Sequence, residues 1–152
     1  MAEASPPSRS PRASAARREK LLRGRRLRFA LRELALVGLG AVPGAWLRWQ
    51  AGVQLGPWLG GSAGANLLVN LCGAYLLGLL SGPIPQRTGL LLALGVGFCG
   101  SLTTFSSWMF DLVALLRSAR PLTAVALLTV SLAGGLAAAA LGLATSRHLR
   151  RR

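Results

Sequence analysis

From Gly95 to Trp108 the chain reads Gly-Val-Gly-Phe-Cys-Gly-Ser-Leu-Thr-Thr-Phe-Ser-Ser-Trp, three glycines and five hydroxyl residues in fourteen positions. Glycine and β-branched threonine weaken a helix, and Ser/Thr side chains can satisfy backbone groups that a break sets free. A break at Gly100–Thr104 would release carbonyl oxygens, and carbonyls turned inward can hold a cation. The competing reading of the same spacing is a straight helix whose small residues make close contacts. The other polar residues in apolar surroundings are neutral as well: Asn66, Asn70, Thr129 and Ser131. No nucleophile–base pair and no cluster of metal-ligating side chains stands in the sequence, which argues against hydrolysis and against an enzyme. Neutral hydrogen-bonding groups and one arginine, Arg48, suit passive passage of a small anion.

The elements that must position these residues are apolar. The chain has 152 residues, 52% of them hydrophobic, a mean hydropathy of +0.48 and 14% charged residues. A soluble domain carries roughly 25% charge, so a soluble fold is excluded. Four segments, near 34–55, 62–81, 90–116 and 121–145, reach the ~20 apolar residues that a transmembrane helix needs. Connections rich in Gly and Pro separate them, and the short alternating strands of a membrane β-barrel are absent. The expected fold is an all-α membrane protein of four transmembrane helices, the third broken near mid-membrane. Glu33 and Asp111 are the only acids in that body and lie toward span ends. A proton-coupled exporter, which generally needs a titratable group in mid-membrane, is disfavoured.

The net charge of +14 sits mostly at the ends. Residues 1–32 hold ten basic groups and 147–152 hold four, leaving Arg48, Arg87, Arg117 and Arg120 between them. The expected organisation is a basic disordered arm at 1–32, a channel domain at 33–146 and a basic tail at 147–152. Ser, Pro, Ala and Arg dominate the arm, which is read as an anchor on anionic lipid, at about 1 kcal/mol per basic residue near the surface. It has no fold or interleaved aromatics for nucleic acid, and it is too long for the basic region of a signal peptide. With four spans, both termini share a side with Arg87, fifteen basic residues against Arg117 and Arg120 opposite. The positive-inside rule places both termini in the cytoplasm of a multi-pass cell-membrane protein. Cys72 and Cys99 fall inside apolar segments and are read as packing residues, and His148 belongs to the tail.

At this level the residues resemble a known family. Gly97-Phe-Cys-Gly-Ser-Leu-Thr-Thr-Phe-Ser-Ser107 is similar to the signature of the Fluc/CrcB fluoride channels. Asn70-Leu-Cys-Gly-Ala-Tyr-Leu-Leu-Gly78 resembles the family's second-span motif, and Gly44-Ala-Trp-Leu-Arg-Trp49 its first-span motif. The resemblance covers residues ~38–145. It implies an antiparallel dimer of four-helix subunits, two narrow fluoride pathways and a central structural Na+ that is not transported. Gly100 and Thr103 match positions whose backbone carbonyls hold that ion. Phe105 matches the first of two pore phenylalanines, Asn70 the pore asparagine, and Arg48 an arginine near an aqueous vestibule. Asp111 falls where the family has an acidic residue.

Such a pathway makes chemical sense. Fluoride is small and strongly hydrated, and the edge of an aromatic ring is weakly positive. An edge-on phenylalanine offers C–H groups without a fixed charge that would trap the ion, and conduction needs binding weak enough to permit exit. Asn70, Ser106 and Ser107 would add N–H and O–H donors. On the same residues the ordinary reading is packing by Phe105 and helix-bound hydrogen bonds by the others. Two departures stand out. Trp108 replaces the second phenylalanine, keeping the ring on the same helical face but enlarging it. Ala65-Asn66 replaces the Gly-Thr that opens the second-span motif. The expected function is passive fluoride export that relieves intracellular fluoride. The alternatives are a small coupled exporter and a non-conducting accessory subunit, for which Gly40, Gly44, Gly134, Gly135 and Gly142 would suit helix packing. The fifteen-to-two charge bias favours a heterodimer with a related subunit of opposite orientation over a homodimer.

Overall fold

The computed structural model describes residues 11–82, 88–149 and 151, with side chains from Glu19 onward. Residues 1–10 of the arm, Arg87 with its connection, and Arg150 and Arg152 of the tail lie outside the described residues. Four helices are long and apolar enough to cross a membrane: Glu19–Leu55, Ser62–Leu80, Thr88–Arg117 and Pro121–Leu149. No strand occurs among the described residues. The four-helix expectation therefore holds, with span ends within a few residues of those read from hydropathy for all but the first.

The chain divides into two compact units, Met1–Leu34 and Ala35–Arg152. In the first, the backbone is helical from Pro11, where α1 (Pro11–Leu55) begins, instead of disordered as the composition suggests. The reason is local. Beyond the prolines, Ala, Leu and Arg dominate, all strong helix formers. Glu19 and Arg23, four apart, also pair at 2.8 Å, an arrangement that supports a helix.

In the second unit, α2 (Ser62–Leu80) crosses α6 (Pro121–Leu149) at close quarters. Gly78 lies on the Ala139 carbonyl and Gly142 on the Tyr75 carbonyl, so a Cβ at either position would strike backbone. The same device joins α1 to the third span, where Gly40 meets the Ala93 carbonyl and Gly97 the Val37 carbonyl. Small residues are what allow helices to approach in lipid, where no hydrophobic force drives them together. Leucines such as Leu39, Leu132 and Leu136 are exposed, the state expected of side chains whose solvent is hydrocarbon.

The third span is composite. α3 (Thr88–Leu90) leads into a π-helical stretch, Leu91–Cys99, then α4 (Gly100–Leu102), an extended link, and α5 (Ser106–Arg117). Gly100 N–H reaches back five residues to the Gly95 carbonyl and also to that of Gly97. π-Helical turns are rare and often sit at functional sites. Nine residues of it end at the run from which the sequence predicts a break. Cys99 is buried and Cys72 exposed, both as free thiols.

Candidate functional site: the broken third span

The last turn of α4 closes with Thr103 N–H on the Cys99 carbonyl at 3.0 Å, and the Thr103 hydroxyl donates to that same oxygen at 3.0 Å. Thr103 then turns extended, with ψ 152. In a continuous helix, Thr104 N–H would donate to the Gly100 carbonyl. It donates instead to Asn70 Oδ1 at 2.7 Å, while Asn70 Nδ2 donates to the Thr104 carbonyl at 3.0 Å. One side-chain amide on α2 thus meets both backbone polar groups of Thr104 at the break, as bilayer depth requires of non-helical backbone. The helix resumes under a local cap, with Ser107 N–H donating to Thr104 Oγ1 at 3.2 Å, the exchange that suits threonine to a helix start. Ser101 Oγ donates to the Ala41 carbonyl at 2.9 Å and to that of Phe98 at 3.1 Å, tying α4 to α1. The break therefore falls at Thr103–Phe105, overlapping the end of the expected Gly100–Thr104 stretch and running one residue past it, and Gly100 remains helical.

Beside the break lies a groove of about 270 Å³, walled by Asn70, Thr103, Thr104, Phe105, Trp108 and Ser131, with Leu132 at its edge. No charged side chain lines it. Phe105 and Trp108, three apart, face each other with ring centroids 5.6 Å apart and planes tilted by 51°. Their exposures differ sharply: Phe105 is 72% exposed and Trp108 only 8%. Trp108 is held by its indole, whose Nε1–H donates to Ser131 Oγ at 3.0 Å. Ser131 keeps its own proton for a further partner.

The expected site residues divide. Asn70, Thr103, Phe105 and Trp108 come together in the groove. Ser106 lies in a separate apolar cleft with Phe105, Met109, Phe110 and Val113. Neither the Ser106 nor the Ser107 hydroxyl hydrogen-bonds within the described residues. Gly100 is exposed on α4, and its carbonyl has lost its helical donor to Asn70. Arg48 is half-buried on α1 with no ionic partner among the described residues. Two participants, Thr104 and Ser131, are given no role of their own by the motifs. Thr104 caps α5, and Ser131 orients Trp108. Midway along α5, the Asp111 carboxylate accepts from Ser62 Oγ and Asn66 Nδ2, each at 2.6 Å. The amide at position 66 thereby ties the start of α2 to the helix that carries Trp108 and follows Phe105.

Among the described residues, no group of three His, Cys, Asp or Glu could hold a metal ion. A cation here would depend on backbone oxygen, and the Gly100 carbonyl, which has lost its helical donor, would be one candidate.

Residues 35–143 match the family described as CrcB-like protein, Camphor Resistance (CrcB). The chain is 50% identical over 124 residues to a protein of Synechococcus sp. (strain CC9605) named fluoride-specific ion channel FluC 2, covering 82% of this chain and 88% of that one. A FluC 2 of Synechococcus sp. (strain CC9902) is 48% identical over 126 residues, covering 83% and 88%. The same strain has a FluC 1, which is 42% identical over 113 residues, covering 72% and 90%.

Proposed function

We propose, from the premise that this chain belongs to the CrcB family, that it is a fluoride-specific ion channel through which fluoride leaves the cytoplasm passively. One observation carries the reading: the Asn70 amide holds open a break in the third span, beside a groove with aromatic walls and no charge. An anion in that groove meets no fixed negative charge and several donors. The open Phe105 ring offers its positive edge, Asn70 has a second N–H beyond the one given to Thr104, and Ser131 has its hydroxyl proton. None is a fixed cation, so binding stays weak enough for exit. Hydrogen fluoride crosses the bilayer, dissociates inside, and the anion leaves down its electrochemical gradient. That cycle lowers intracellular fluoride.

Gly100 and Thr103 would hold a structural Na+ through their carbonyls, two oxygens from each of two antiparallel subunits. When bound, the ion supplies a fixed charge that joins the subunits. The protein's own part is the break that frees those oxygens. Arg48 would stand at the water-filled mouth. Both termini would lie in the cytoplasm, on the strength of fifteen basic residues against two. That bias leaves few inverted copies, so the preferred partner is a related subunit of opposite bias. The presence of FluC 1 and FluC 2 in one strain supports such pairing.

Expression in a fluoride-sensitive bacterial strain tests the function. The channel reading expects growth in fluoride to be restored, and fluoride efflux from liposomes holding the purified chain to need no proton gradient. Efflux that appears only with an imposed gradient would point to the coupled exporter, and no rescue without a second subunit to the heterodimer. A reporter fused to the C-terminus tests orientation, and equal signal on both sides would restore the homodimer.

A further inference from the structure

The helical segment from Glu19 to Leu34 precedes the residues that match the family, and its side chains pose a solvation problem of their own. Lys20, Arg23, Arg25, Arg26, Arg28 and Arg32 share it with Leu21, Leu22, Leu27, Phe29, Leu31 and Leu34. All six apolar side chains are more than half exposed, from 55% at Leu22 and Leu31 to 68% at Leu34. Among the described residues only Arg23 has an ionic partner, Glu19. The two kinds do not separate into faces. Leu27, Leu31 and Leu34 stack at helical spacing on one side and Leu22 and Phe29 on another, with arginines between them. Water suits the cations but not the leucines, and hydrocarbon suits the leucines but not six cations. The headgroup layer of a bilayer suits both, because Arg and Lys stems lie along apolar surface while their charged ends reach outward.

We propose that Glu19–Leu34 seats in the headgroup layer of a leaflet rich in anionic phospholipid, its guanidinium groups on phosphates and its leucines at the acyl boundary. Six cations against Glu19 and Glu33 give the charge complementarity. The guanidinium fork matches phosphate in two-point geometry. A nucleic acid would also take the arginines, but it would leave the leucines in water and find Phe29 alone to stack on a base. This surface is independent of conduction, so fluoride flux neither supports nor weakens it.

Chymotrypsin cuts after Leu and Phe and so reads the apolar side chains directly. The full chain is reconstituted in vesicles of phosphatidylcholine, or of phosphatidylcholine with an equal part of phosphatidylglycerol. Cleavage between Leu21 and Leu31 on outward-facing arms is followed by mass spectrometry. Cleavage should be about tenfold slower with phosphatidylglycerol, and high salt should restore much of the rate. Replacing Arg23, Arg25, Arg26, Arg28 and Arg32 together by Gln should remove the difference between vesicles. Should that variant insert poorly, the unmodified chain compared across lipid and salt still decides. Equal rates in both vesicles overturn the proposal, as does protection that requires added RNA and ignores the lipid.

Discussion

Asn70→Ala removes the two hydrogen bonds that the side-chain amide makes to the Thr104 peptide, at 2.7 and 3.0 Å. Each is worth roughly 1–2 kcal/mol when its loss strands a buried partner. The site is half-buried within a membrane span, so the loss should total about 2–4 kcal/mol. Thermal unfolding of the purified protein in detergent should record a clear fall in midpoint, and fluoride flux should fall with it because Phe105 and Trp108 follow directly from the break. Asn70→Asp keeps one of the two bonds, since a carboxylate still accepts from Thr104 N–H, but its other oxygen opposes the Thr104 carbonyl and repels an anion in the groove. An unpaired carboxylate in a span is expensive, so Asn70→Asp should cost at least as much stability as Asn70→Ala and as much flux or more. Unchanged stability in Asn70→Ala would refute the bridging role, whatever happened to conduction.

Phe105→Ile removes the positive ring edge at a side chain that is 72% exposed. Flux through that groove should disappear while the protein still purifies folded, as size-exclusion chromatography would show. Trp108→Phe loses the Nε1–H bond to Ser131, which should cost about 1 kcal/mol. It also opens the groove, so fluoride efflux from liposomes should rise. Thr103→Ser keeps both the backbone carbonyl and the hydroxyl bond to Cys99, so activity in Na+ should change little. Replacing Na+ by a larger monovalent cation should weaken assembly in the parent and the variant alike, read by chemical cross-linking.

Hydropathy reveals the four spans because a stretch of apolar residues long enough for lipid has few other uses. The break is legible for a similar reason, since glycines and hydroxyl residues crowd one short run. What Asn70 does with its amide is not legible. Its partner is 34 residues away, and a polar side chain in a span can equally face a pore, a neighbour or its own helix. Asp111 illustrates the same limit. Its position marks a span end, while its pairing with Ser62 and Asn66 depends on how α2 and α5 meet. The substitution at position 66, read by itself, looks like a lost hydroxyl, and beside the carboxylate it is a donor. Ser131 is hidden for want of a motif, since only the indole nitrogen of Trp108 singles it out. In the arm the prolines and serines of the first residues mask the strong helix formers that follow.

The most direct test of the central claim is efflux from liposomes holding the purified chain, loaded with equal fluoride and chloride and lacking any pH gradient. Ion-selective electrodes read both anions after an ionophore clamps the potential. Rapid fluoride release with chloride retained is expected, and Phe105→Ile should abolish it. Equal release of both anions, or fluoride release that appears only when a proton gradient is imposed, would contradict the claim.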